Sequence, residues 1–212
     1  MSKVLVIAPH PDDEVLGCGG AIQYHGSIDD EVYVHIVANR VINHLENDEY
    51  IQKTMEQADK ASMILKVNKI YFSNLRDEQL DKKIIDVIVP IEDVISKVLP
   101  DIVYIPNETD TDQDHRAVAN ACKVACRGIK KVLVYEVFGP TKNFQPNVYL
   151  DIENFISKKI EAMYCYEGEM HSYPHPRSAE AIDVLAKYRG IEVGLNAAEA
   201  YILNKQIIEK EL

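Results

Sequence analysis

Short runs of β-branched residues alternate along most of this chain with longer stretches of helical period. Val4–Ile7, Val32–Val37, Lys69–Phe72, Ile102–Ile105, Val132–Val137 and Val148–Ile152 read as strands. A helix begins with Val15–Tyr24, and Tyr50–Leu65 carries Ile51, Met55, Ala58, Ala61, Ile64 and Leu65 on one stripe. Ile84–Val98 has the same period, and Pro90 is expected to kink it or to mark its first turn. His115–Arg127 and Phe155–Tyr164 supply two more helices. Strands apolar on both faces and separated by helices predict a mostly parallel sheet in an α/β domain. Right-handed crossovers then bring several strand ends to one rim, where ligands usually bind.

The last third departs from that rhythm. Glu167–Ser178 is irregular, with Gly168, Pro174 and Pro176, and two helices are predicted beyond it, over Ala179–Tyr188 and Ala197–Glu209. No internal repeat or Gly/Ser-rich linker divides the chain, so a single domain is expected over residues 1–212. An apolar fraction of 47% and a charged fraction of 27% are those of a soluble globular protein. No apolar run approaches the length of a transmembrane helix, and Met1-Ser2-Lys3 leads straight into a strand without a signal-peptide pattern. A cytoplasmic location is the resulting expectation. The formal charge of −11 argues against nucleic-acid partners, whose phosphates it would repel. The cysteines form no CxxC pair, and Cys122 and Cys126, one helical turn apart, read as small buried apolar residues.

The chemistry concentrates just after the first strand. Ala8-Pro9-His10-Pro11-Asp12-Asp13-Glu14 gathers a histidine and three acids where the chain leaves a buried strand. Carboxylates packed there repel one another unless something positive sits among them. His and carboxylate together suit a borderline cation such as Zn2+, and a catalytic zinc needs about three protein ligands. A second strand exit supplies a matching histidine: Ile102–Ile105 runs through Pro106-Asn107-Glu108-Thr109-Asp110-Thr111-Asp112-Gln113-Asp114 to His115. The plainer reading makes Asp12 or Asp13 only a helix N-cap and Glu14 only a complement to the helix dipole. Gly17, Gly19 and Gly20 lack the GxGxxG spacing of a dinucleotide loop and follow an acidic segment that would repel a pyrophosphate.

The stretch from Ala8 to Gly20 resembles the signature of the PIG-L/LmbE-like deacetylases, as does Asp112-Gln113-Asp114-His115-Arg116. Pro174-His175-Pro176-Arg177-Ser178, Arg189-Gly190, Gly194 and Ala198-Glu199-Ala200-Tyr201 are similar to that family's closing segment. The resemblance implies a Rossmann-like domain with a metal site at the C-terminal rim of its strands. His10, Asp13 and His115 would hold Zn2+, with Fe2+ or another divalent ion as alternatives. Asp12 would be the general base of amide hydrolysis by metal-activated water. Glu14 and Asp114 would stand behind the ligands, with Glu14 keeping His10 or His115 in its tautomer. The implied substrate is a small amino-sugar derivative that loses an N-acetyl group, whether glycoside-, lipid- or nucleotide-linked. An amidase acting on a cysteine-sugar conjugate, or a metal- or sugar-binding homologue with impaired catalysis, are the alternatives.

One position departs from the pattern, since the family usually has His where this chain has Asp112. Asp112 would orient His115 or another group and leave the oxyanion to zinc and a different donor, or His175 or His171 would fill that role, or Asp112 would be kept protonated by burial. His175 between two prolines is otherwise an ordinary rim residue. Asp77 falls where a substrate-contacting Asp is expected, or simply caps the next helix. Arg40, just past the second strand, would meet a phosphate or hydroxyl of the substrate, or simply face solvent. Glu199 and Arg189 are expected to form a structural ion pair. The resemblance leaves a homo-oligomer open, since family members often associate, and an apolar patch on the final helices is a candidate interface.

Overall fold

The computed structural model describes residues 1–39, 47–139, 141 and 143–208. Its strands are β1 (Lys3–Ala8), β2 (Glu31–Asn39), β3 (Lys69–Arg76), β4 (Ile102–Ile105), β5 (Lys131–Tyr135), β6 (Val148–Asp151) and β7 (Ala198–Gln206). Its helices are α1 (Asp13–Ser27), α2 (Asp48–Leu65), α3 (Ile84–Val98), α4 (Gln113–Ala125), α5 (Ile156–Met163) and α6 (Ala179–Ile191). The strands form one sheet in the order β3-β2-β1-β4-β5-β7-β6. Pairing is parallel from β3 through β5, and β7 runs antiparallel to both of its neighbours.

The apolar run of β1 shows why both faces of the sheet are covered. Val4, Val6 and Ala8 enter a core that includes residues of α1, α2 and α5. Leu5 and Ile7 point the other way, into a core built with α3 and α4. Alternating side chains thus serve two helical layers, as in other parallel sheets. Cys122 and Cys126 are buried and free. Among the described residues no helix is long and apolar enough to cross a membrane.

Chain order reverses around β1, which pairs with β2 on one side and β4 on the other. This is a topological switch point, and the loops leaving β1 and β4 open beside each other at its carboxyl end. His10 and His115 follow these two strands, so the fold brings them to one place.

Two predicted elements differ. The helix expected over Ala197–Glu209 is instead strand β7, inserted between β5 and β6 with Tyr201 opposite both Tyr135 and Val148. Its alanines favour a helix in isolation, but pairing on both edges and burial of Ala198–Tyr201 override that preference. Pro90 marks no first turn, because α3 already begins at Ile84.

Helix α1 lies unusually close to its neighbours. A Cβ at Gly17 would stand 2.2 Å from Tyr135 Cδ2, and one at Gly20 would stand 2.5 Å from Ile152 Cγ2. The glycines therefore serve packing. The buried Lys159–Glu199 pair grips the same helix: Lys159 Nζ donates to Leu16 O, while Gly20 N and Ala21 N donate to the Glu199 carboxylate, each at 2.7 Å. Gly17→Ala should destabilise the fold by about 1–3 kcal/mol through overpacking. A urea midpoint equal to that of the wild type would contradict this packing.

His35 on β2 is fully buried against Ser73 Oγ at 2.6 Å. Burial, with a smaller effect from Lys97, pushes its pKa down to about 4 from an ordinary value of 6.5. The folded state then stays neutral where the unfolded chain takes up a proton, so stability falls as pH drops from about 6.5 to 4. The contribution amounts to at most about 3 kcal/mol. Thermal midpoints followed across that window should show a smaller slope in His35→Gln than in the wild type.

Candidate metal centre

The turn after β1 presents its side chains in an uncommon way. Asp12 occupies the N-cap position of α1 with φ at 106°, in the left-handed region, and its side chain makes no capping hydrogen bond. Asp13 opens the helix and is completely buried. Asp13 Oδ2 accepts from His10 N at 3.0 Å and lies 3.1 Å from His115 Nε2 and 3.4 Å from His10 Nδ1. The two imidazole centroids are 5.4 Å apart.

Carboxylate and imidazoles share the charge between them. Burial alone would raise the Asp13 carboxyl, yet His115 and His10 hold it well below the usual range. Burial alone would lower His115, but Asp13 and Asp110 push it up to about 10. The protein thus keeps a negative oxygen surrounded by groups that can be either protonated or metal-bound. The donor atoms of His10, Asp13 and His115 all lie within 4.8 Å of one another. Asp13 Oδ1 is buried with no hydrogen-bond partner. A buried carboxylate oxygen left over beside two imidazoles fits a borderline divalent cation, and the N2O donor set agrees with that.

Each imidazole is backed on its far side by another carboxylate. His115 Nδ1 lies 3.0 Å from Asp110 Oδ2, and His10 Nε2 lies 2.8 Å from Asp77 Oδ1 and 3.5 Å from Asp114 Oδ2. The outward nitrogens thus face these carboxylates, and the inward ones, Nε2 of His115 and Nδ1 of His10, face Asp13. Alternate aspartates of the β4 exit divide the work. Asp110 holds the His115 ring and accepts from Asp112 N at 2.9 Å. Asp112 caps α4, accepting from Asp114 N at 2.8 Å and His115 N at 3.4 Å. Asp114 accepts from Glu78 N and Leu80 N, fixing the segment that carries Asp77.

Several expectations are corrected here. Asp110, not Asp112, orients the His115 ring, and Asp112 is exposed, so the burial that would keep it neutral is missing. Glu14 touches neither imidazole; it accepts from Asp12 N at 3.1 Å and meets Tyr166 OH. Burial pushes Glu14 up to about 8. Asp77 caps no helix, because Lys83 stands at the N-cap of α3. Arg189 pairs with Glu136 and Glu192 rather than Glu199, whose ionic partner is Lys159. Arg40 lies outside the described residues.

The C-terminal loop closes the other side. His175 is exposed, packs with its ring tilted against His171 at 4.1 Å between centroids, and lines a cavity of about 450 Å³ together with His115, Asp112, Phe138 and Arg177. Arg177 Nε stands 3.1 Å from Asp12 Oδ2. Arg177, Tyr166 and Asp110 went unassigned in the sequence. Only Arg177 carried a signal there, through its place in the PHPRS segment.

Residues 5–126 match the family described as PIG-L, GlcNAc-PI de-N-acetylase. The chain is 30% identical over 166 residues to YaiS of Escherichia coli, named an uncharacterized deacetylase, covering 76% of this chain and 88% of that one. It is 26% identical over 189 residues to the diacetylchitobiose deacetylase of Thermococcus kodakarensis, covering 80% of this chain and 70% of that one. Among solved structures, the 4-carboxy-2-hydroxymuconate hydratase GalB of Pseudomonas putida superposes with a TM-score of 0.82 at 20% identity, over 100% of both chains. That likeness concerns the fold alone. The family match spans more than half of the sequence and includes His10, Asp13 and His115, and on that basis the chain belongs to the PIG-L family.

Proposed function

We propose that this protein is a zinc-dependent N-deacetylase that removes the acetyl group from a small amino-sugar derivative. The observation that carries the reading is the convergence of His10, Asp13 and His115, with Asp12 next to them in sequence and turned away from its helix cap. His10, Asp13 and His115 would hold the ion, and Fe2+ would suit the same donors. The sugar part of the reading is supported by the name of the Thermococcus relative and by a cavity of a size that suits a small ligand.

A bound divalent ion supplies an acidified water and positive charge for the developing oxyanion. Asp12 would serve as the general base toward the attacking water and would return the proton to the leaving amine. His175, on the cavity wall, donates to the carbonyl oxygen where the family's usual histidine is replaced by Asp112. Asp110 and Asp77 hold the two imidazoles so that their inward nitrogens stay available. Asp77 also borders the acidic cavity beside His10, where it would meet the substrate's polar groups. A hydratase shares the fold, so the reaction has to be read from the site rather than the architecture.

Zinc-loaded protein assayed on N-acetylated sugars and simple amides should release free amine from the sugars. Asp12→Asn should keep its metal and lose at least about 100-fold in turnover. A near-normal rate in that variant would reassign the base. His115→Ala should lose metal and activity together. Asp110→Asn should weaken zinc binding by about 10–100-fold in competition with a chelating dye, and unchanged affinity would remove Asp110 from its supporting role.

A further inference from the structure

The geometry points to Arg177 as a positioning residue that fixes the carboxylate of Asp12, delivered by the irregular loop between α5 and α6. This inference rests on the deacetylase reading, in which Asp12 is the base. An aspartate before an apolar helix ordinarily turns its carboxylate onto the amides of the first turn. Asp12 does not, although its φ of 106° is a conformation that costs a non-glycine residue free energy. Two contacts oppose the ordinary outcome. Glu14 Oε2 accepts from Asp12 N at 3.1 Å and fixes the backbone. Arg177 Nε, 3.1 Å from Asp12 Oδ2, supplies positive charge to a carboxylate that is completely buried.

Arg177 is itself held from several directions. Its Nη1 donates to Glu169 Oε2 at 3.1 Å, and its backbone N–H donates to His175 Nδ1 at 3.1 Å. Its carbonyl accepts from His171 N at 3.0 Å. The next residue, Ser178, is fully buried and caps α6 by accepting from Ala181 N at 3.0 Å. The guanidinium therefore reaches Asp12 from an anchored backbone. One planar guanidinium donates to Glu169 through Nη1 while its Nε forms an ion pair with Asp12, an arrangement that the single ammonium of a lysine cannot reproduce. Arg177 also forms part of the wall of the cavity that holds His115 and His175, so its placement and that of the substrate are linked.

The test compares zinc-loaded wild type, Arg177→Ala, Arg177→Lys, Asp12→Ala and the Asp12→Ala/Arg177→Ala double variant, using the best sugar substrate of the panel. Arg177→Ala should retain its zinc and lose about 100-fold in kcat, with a much smaller change in KM. Arg177→Lys should recover only part of that loss. Added guanidinium ion, at millimolar concentration, should raise the turnover of Arg177→Ala and leave the double variant unchanged. In the Asp12→Ala background, removal of Arg177 should cost little further activity, as expected of residues that act as a unit. Wild-type kcat in Arg177→Ala, or a loss that multiplies in full with that of Asp12→Ala, would overturn the positioning role while leaving the deacetylase reading intact. If Arg177→Ala does not fold, Arg177→Lys decides, and a wild-type kcat there overturns the role. A zinc-loaded wild type without turnover on any acetylated substrate overturns the deacetylase reading and this inference with it.

Discussion

The burial of Asp13 is the constraint on which the arrangement at the rim depends. A carboxylate taken completely out of water needs compensating charge, and the two imidazoles that provide it come from different strand exits. The loops after β1 and β4 must therefore meet closely. They do so because β1 is the strand around which the sheet reverses order. The surrounding acids follow from the same requirement: Asp110, Asp77 and Asp114 hold the imidazoles from behind, so that neither ring turns away from Asp13.

Precision at the rim in turn needs a fixed α1, since Asp13 is its first residue. The helix is set against Tyr135 and Ile152 at distances that leave no room for a Cβ, and Lys159 and Glu199 bond to its backbone in mid-course. Tyr135 ties the assembly together from the other side, donating to Ile7 O on β1 at 3.0 Å. The strand that launches the loop and the helix that receives it are thus clamped by a common neighbour.

The fold and the meeting of two strand exits at one rim were legible in the sequence because both depend on local signals. Runs apolar on both faces announce the parallel strands, and a histidine among acids at two strand exits announces the centre. Asp110, Asp112 and Asp114 show the limit of such reading. They are the same residue at alternate positions, and only the turn before α4 decides which reaches an imidazole and which caps a helix. The mistaken partner of Glu199 has a similar origin, because Lys159 lies on another helix and is no better marked in sequence than Arg189. In β7, alanines suited to a helix become a strand because two edges await it, information held by β5 and β6 rather than by the segment itself.

Residues outside the family match complete what the matched part leaves open. Tyr166 meets Glu14, Arg177 meets Asp12, and His175 joins His115 on one cavity wall. The matched segment supplies the donor set, whereas the later segment shapes the space in front of it and restrains the two acids flanking Asp13. Exposed Asp112 stands apart from that closure, because its carboxylate is engaged with the amides that start α4 and not with the groups arriving from the far end of the chain.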